Sequence, residues 1–325
     1  MKHSFGGKTW ITALVFTLAL GTLLSALSLP IPWNWLAYAL TLASLAALRQ
    51  LFKLLVKENV KLNAFIKSYS PIAWELACIA LVVTVCTFMT WPAAAGDRPV
   101  SGDHNLHYFR FWFFMTKLLP HGQLFGWNSL WFAGEPVGYV YPFAGPLWAA
   151  AVHALTLGKL SLSQTYGIAI WLAYLTEGLC VYYSAKFLFN RVVGVLAALL
   201  FVTDIGDYIN MGGWYMTVKT GVWPSSLSIG FSLLALTAFI KLLEGGQRQQ
   251  MGWFALWAGI ALLVHPIQIV NLPITLGLLL VLYALSGRMN LVRERAFKLA
   301  GAVVLSVMTA AVWLLPFLSY ATSRY

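Results

Sequence analysis

Long apolar runs broken by short polar stretches set the pattern of this chain. Runs long enough to cross a bilayer, roughly 17–25 residues, fall near 10–29, 33–52, 71–91, 163–187, 223–243, 267–286 and 297–318. Shorter candidates fall near 192–204 and 251–265. Two further segments are helical in pattern but different in kind, 104–119 and 141–157 ("YPFAGPLWAAAVHALTL"). The pattern predicts an all-α, polytopic integral membrane protein. It has about nine transmembrane helices and two juxtamembrane helices on the outer side. Two spans and a basic loop occupy 1–70, and the remaining module, 71–325, carries its first outer loop over 92–160.

Composition narrows the class. The chain has 325 residues, of which 60% are hydrophobic and 10% charged, against about 25% charged in a soluble domain. Fifteen Trp, fourteen Tyr and twenty Phe suit broad aromatic belts at the two membrane interfaces. The net charge of +11 comes from Lys and Arg spread between apolar runs, with no basic cluster that would form a nucleic-acid groove. Cys78, Cys86 and Cys180 all lie inside apolar runs and read as small apolar fillers. The N-terminal run has no small-residue cleavage signal after it and reads as an uncleaved first span.

The basic residues choose a topology. Lys53, Lys57, Lys61 and Lys67 precede the third span and belong on the cytoplasmic side. If 141–157 lies on the surface, Lys186, Arg191, Lys241, Arg248, Arg288, Arg293, Arg295 and Lys298 are cytoplasmic too. If it crosses, all of them turn outward, against the positive-inside rule. The surface assignment collects Asp97, Arg98, Asp103, His104, His107, Arg110, Lys117, His121, Glu135, Asp204, Asp207, Lys219 and His265 on the outer side. Glu177 is the main ionisable residue left within a span.

Residues 101–112, "SGDHNLHYFRFW", concentrate the candidate chemistry. On a helix starting after an Asp103 N-cap, Asp103, His107, Arg110 and Lys117 fall within about 40° of one line. Tyr108, Trp112, Met115 and Leu119 take the opposite face, which makes an amphipathic interfacial helix. An Asp at this place is also a plain helix cap, and basic side chains there also meet lipid headgroups. Asp103, His104 and His107 form a D-H-x-x-H set; a metal site built on it needs a further ligand such as His121 or Glu135. The stretch after it, "LLPHGQLFGWNSLWFAGEPVGYVYPF", is rich in Gly, Pro and Trp and long for a connection, as functional loops are. Trp127 and Trp131 in it can stack on sugar rings, although a Trp at this depth is also an ordinary interfacial anchor.

The order of a span ending near 91, an Asp, a juxtamembrane helix, then "FGWN", "AGEP" and "YPF" resembles the first outer loop of the GT-C superfamily, the polytopic glycosyltransferases that use lipid-linked sugars. The nearest likeness is to the bacterial membrane proteins labelled as related to 6-pyruvoyl-tetrahydropterin synthase, a label that implies no pterin chemistry here. The resemblance extends more weakly through "FVTDIGDYINMGGWYMTVKTGVWPSSL", "LLVHP" and "WLLPFL" to about residue 318. Two departures stand out: many relatives carry paired acids where this chain has Asp103 followed by His104, and relatives continue with more helices where this chain ends.

The resemblance implies a GT-C-like fold and inverting transfer of a sugar from a polyprenyl-phosphate donor to an acceptor hydroxyl outside the membrane. It implies Asp103 as base, with Asp97, Glu135, Asp204 and Asp207 as alternatives. His104, His107, Arg110, Trp127, Trp131, Glu135, Lys219 and His265 then contact substrate. No cofactor is required, a divalent metal being the minor alternative. The implied partners are membrane lipid, the lipid-linked donor and a glycan, lipid or protein acceptor, with no nucleic acid. The implied setting is a bacterial cytoplasmic membrane. A transporter of lipid or lipid-linked sugar, or a non-catalytic scaffold, are the competing classes. Transporters place ionisable groups at the bilayer midplane, whereas here they gather at one face.

Overall fold

The computed structural model describes residues 71–95, 99–206 and 213–322. The expected spans over 10–29 and 33–52, the lysines between 53 and 67, and Asp97, Arg98 and Asp207 lie outside the described residues. Among the described residues nine α-helices follow in chain order: α1 Pro71–Ala95, α2 His104–Phe113, α3 Ala144–Leu155, α4 Leu162–Leu188, α5 Arg191–Thr203, α6 Trp223–Gly245, α7 Arg248–Val264, α8 Gln268–Leu285 and α9 Met289–Thr322. Among the described residues the only sheet is one antiparallel hairpin, β1 Gly126–Asn128 with β2 Glu135–Val137.

Among the described residues five helices, α1, α4, α6, α8 and α9, are long and apolar enough to cross a membrane. The all-α, multi-pass reading therefore holds in its coarse form. Helix α3 has twelve residues, roughly 18 Å of rise, well short of a hydrocarbon core of roughly 30 Å. Helix α5 has thirteen and is short by the same measure. Helix α9 starts at Met289, earlier than the apolar run at 297, because its first turns are charged. Lys298 there donates to the Gly246 carbonyl at 2.5 Å, and neighbouring Arg288 pairs with Glu244.

Local signals explain the boundaries. Ser161 caps α4 in a capping box with Gln164, and Asn190 Oδ1 accepts from Val193 N at 3.0 Å to start α5. Pro224 stands in the first turn of α6, and a left-handed Gly246 ends it. Helix α6 packs along α4 and α7, and α7 along α9. Gly178 faces Val202, Gly194 faces the Tyr182 carbonyl and Gly259 faces Thr309, so α4 packs closely on α5 and α7 on α9.

The tryptophans depart from a simple interfacial belt. Trp223 and Trp313 are buried. Indole N–H groups tie distant segments: Trp313 to the Tyr139 carbonyl at 3.0 Å, Trp214 to the Met89 carbonyl at 2.8 Å, and Trp148 to the Ala169 carbonyl at 3.0 Å. A buried indole needs an acceptor for its N–H, and these bonds pin the surface segments onto the bundle.

Candidate functional site

The site is built where the loop after α1 meets the segment before α6. Asp103 N donates to the Thr220 carbonyl at 2.6 Å, and the Ser101 hydroxyl donates to the Lys219 carbonyl. The crossing is too close for a side chain: a Cβ on Gly102 (φ +55°) would stand 2.3 Å from the Thr220 oxygen, and one on Gly221 (φ +90°) 2.6 Å from His104 N. Glycine is needed at both places for space and for its left-handed backbone.

His104 is the clamp beneath this crossing. It is fully buried, with Nε2 2.7 Å from the Val218 carbonyl and Nδ1 3.2 Å from the Tyr166 hydroxyl. The carbonyl can only accept, so Nε2 carries the proton and Nδ1 accepts from Tyr166. The same Tyr166 oxygen accepts from Trp223 Nε1 at 3.2 Å. Burial holds the His104 imidazole below its ordinary value, partly offset by the Val218 carbonyl and Asp103. Both ring nitrogens are thus engaged within the protein.

The polar stripe of α2 turns inward beyond this point. His107 is 7% exposed, its ring 5.5 Å from Tyr141 and 6.1 Å from Trp223. Burial, reinforced by Arg110, His265 and His104, pushes its imidazole down to about 3. The Arg110 guanidinium lies 4.5 Å over the Tyr141 ring, and His265 meets that ring edge-on at 5.2 Å. Tyr141 is therefore the hub on which His107, Arg110 and His265 converge.

The hairpin supplies the acidic partner. Arg110 Nε donates to Glu135 Oε1 at 3.0 Å and Nη2 to the same oxygen at 2.5 Å. Three polar atoms here are buried and have no hydrogen-bond partner: Arg110 Nη1, Glu135 Oε2, and Nδ2 of Asn128, the residue opposite Glu135 in the hairpin. Donors and an acceptor left unsatisfied together inside a fold are what a polar ligand would satisfy.

The other expected positions are dispersed. Asp103 is exposed at the start of α2, and its side chain makes no cap bond. It holds the N-cap position expected of it, but with no capping side chain. Trp131 packs on Phe109 at 5.2 Å, whereas Trp127 is 61% exposed. Lys219 is exposed and lies over the Tyr215 ring at 4.7 Å. Lys117 is exposed within a π-helical turn, Phe114–Leu118. Asp204 is exposed and accepts from Gly206 N at 3.0 Å. Tyr108, Trp112 and Met115, expected to face lipid, are half-buried against the core. Among the described residues no group of three His, Cys, Asp or Glu could hold a metal ion. Glu177, in α4, is 3% exposed, and its Oε2 has no partner.

Sequence reasoning missed Tyr141, Tyr166, Trp223 and Asn128. Only Tyr141 carried a signal, its place before Pro142 in a loop already singled out. Against known proteins, no family model matches the chain and no curated protein does.

Proposed function

We propose that the protein is a membrane glycosyltransferase that moves a sugar from a polyprenyl-phosphate donor to an acceptor hydroxyl at the outer membrane face. The reading takes nine spans, with the N-terminus inside and 92–160 outside. The observation that carries it is Arg110: a half-buried guanidinium with a buried, unpartnered Nη1, held over Tyr141 beside two histidines. A phosphate oxygen would satisfy that nitrogen and the Asn128 amide, with a charge-assisted bond to the arginine.

The chemistry needs little else. Phosphate leaves without being protonated, so charge stabilisation and a base for the acceptor suffice. The acceptor oxygen forms its bond to the sugar's anomeric carbon while the carbon–oxygen bond to phosphate breaks. The bonding pair leaves on the phosphate, and the acceptor proton passes to the Asp103 carboxylate. Asp103 and Arg110 are separated by about 10 Å along α2, room for a sugar between base and leaving group. His107 stays neutral, a hydrogen-bonding group rather than a second cation.

The test is single-turnover transfer beside equilibrium donor binding. Asp103→Asn keeps the shape and removes the base; we expect unchanged thermal stability and transfer lower by about 10²–10⁴-fold. Arg110→Lys is expected to lower turnover more than donor affinity, because phosphate gains charge as the sugar leaves. Full transfer by the Asn variant would remove Asp103 from the reaction, and a loss confined to binding in the Lys variant would favour the transporter reading.

A further inference from the structure

The hairpin has a second face. Side chains alternate along a strand, and the register pairs Trp127 with Pro136 and Asn128 with Glu135. Asn128 is buried on the Arg110 side, so Trp127 and Pro136 point the other way. There they form, with Gly126, Tyr139, Ser319 and Tyr320, a cleft of about 360 Å³ between the hairpin and the end of α9.

The cleft has a floor and a chemistry. The Trp127 indole packs on Gly134, where a Cβ would stand 2.1 Å from its Cζ2, so the glycine seats the ring. The ring is nevertheless 61% exposed. The Tyr139 and Tyr320 rings, 5.7 Å apart, form the opposite wall. The Tyr139 phenol and the Ser319 hydroxyl supply donors and acceptors, and no charged side chain lines the space. Its volume is at the lower end of small-molecule sites, roughly 300–1,000 Å³. A large exposed aromatic face, neutral hydroxyls and no charge match a ring with one apolar C–H face and a rim of hydroxyls.

We propose that this cleft binds a neutral saccharide unit, and that in the transferase it holds the acceptor. The binding claim stands on the cleft alone; the acceptor role rests on the function proposed above. One peptide step of β2 then joins the two sites, Pro136 under the saccharide and Glu135 on Arg110.

The experiment is saturation-transfer NMR on the full chain in lipid nanodiscs, with glucose, galactose, mannose and N-acetylglucosamine as probes. Saturation is expected on ring C–H protons of at least one probe. Trp127→Ala should weaken that binding about tenfold, the scale of one lost aromatic contact. Trp127→Phe, which keeps a smaller platform, should fall between. Gly134→Ala, which unseats the indole, should act like the Ala variant, and thermal unfolding separates misfolding from lost contact. No transfer to any probe, or transfer unchanged in Trp127→Ala, overturns the proposal. So does quenching of the Trp127 contribution to fluorescence (wild type minus Trp127→Phe) by brominated lipid, which would make the cleft a bilayer contact. A separate arm, polyprenyl phosphate with Arg110→Gln, reports on the transferase reading: its failure leaves saccharide binding standing, and the reverse result removes the cleft alone.

Discussion

At the scale of single residues, His107 shows how packing sets chemistry. Placed between Tyr141 and Trp223 with Arg110 near, its imidazole is neutral down to about 3. The unfolded chain binds that proton from about 6.5 downward. Between these values the unfolded state holds one more proton, so stability rises with pH there. His107 thus contributes stability that is complete above about 6.5 and lost as pH falls toward about 3. We expect His107→Gln to flatten this limb of a stability–pH profile by about one proton; an unchanged slope would mean that the ring is solvated. The polar identity of His107 and Arg110 was legible from their spacing. Their inward orientation was not, because it depends on Tyr141 and Trp223, 34 and 116 residues on in the chain.

At the scale of elements, the apolar runs located the long helices closely: 163–187 against Leu162–Leu188 and 223–243 against Trp223–Gly245. A bilayer-length run leaves little choice, since every backbone group must bond within its own helix. The hairpin was not legible: three-residue strands have too few positions for an alternation, and its pairing is stabilised by a contact to α2. The crossing of Gly102 over Thr220 was equally hidden, though its strain makes it testable. Gly102→Ala puts a Cβ into a backbone oxygen at a left-handed residue. We expect a loss of about 1–3 kcal/mol together with loosening of the His104 clamp. Thermal unfolding checks the first, and the appearance of a titrating His104 imidazole by NMR checks the second.

Within α4, Glu177 separates the two functional classes. Its Cα and Cγ pack against Gly230 of α6, and its Oε2 is unpartnered. Buried ionisable groups at membrane depth cost free energy and usually serve a pathway. The transferase reading gives Glu177 no part in the reaction, so Glu177→Gln should leave transfer within about twofold, the usual reach of a remote change of a few tenths of a kcal/mol. A carrier that moved its cargo past α4 would need the carboxylate. Loss of function in this variant, with the fold intact by thermal unfolding, would turn the assignment toward transport.

At the scale of the whole molecule, the two ends of the long helices differ in kind. Where α4, α6 and α8 end, basic residues meet isolated acids: Lys186 and Arg191 with Glu75, and Arg288 with Glu244. These pairs are partly exposed and contribute little stability individually, but they leave an excess of Lys and Arg as a topological signal. Where α4 and α6 begin lie the histidines, Arg110, Tyr141 and the hairpin. In the topology proposed above, the positive-inside rule puts the first end in the cytoplasm, with α3 lying at the surface and the thirteen-residue α5 counted as a span. Cys78, Cys86 and Cys180 are buried, so a single new cysteine can report alone. A cysteine at Leu130, 61% exposed on the hairpin tip, should react with an impermeant thiol reagent added outside intact cells. One at Gln247, in the turn between α6 and α7, should react only after permeabilisation. The reverse pattern would put Asp103 and Arg110 on the cytoplasmic side, where a donor displayed outside cannot reach them.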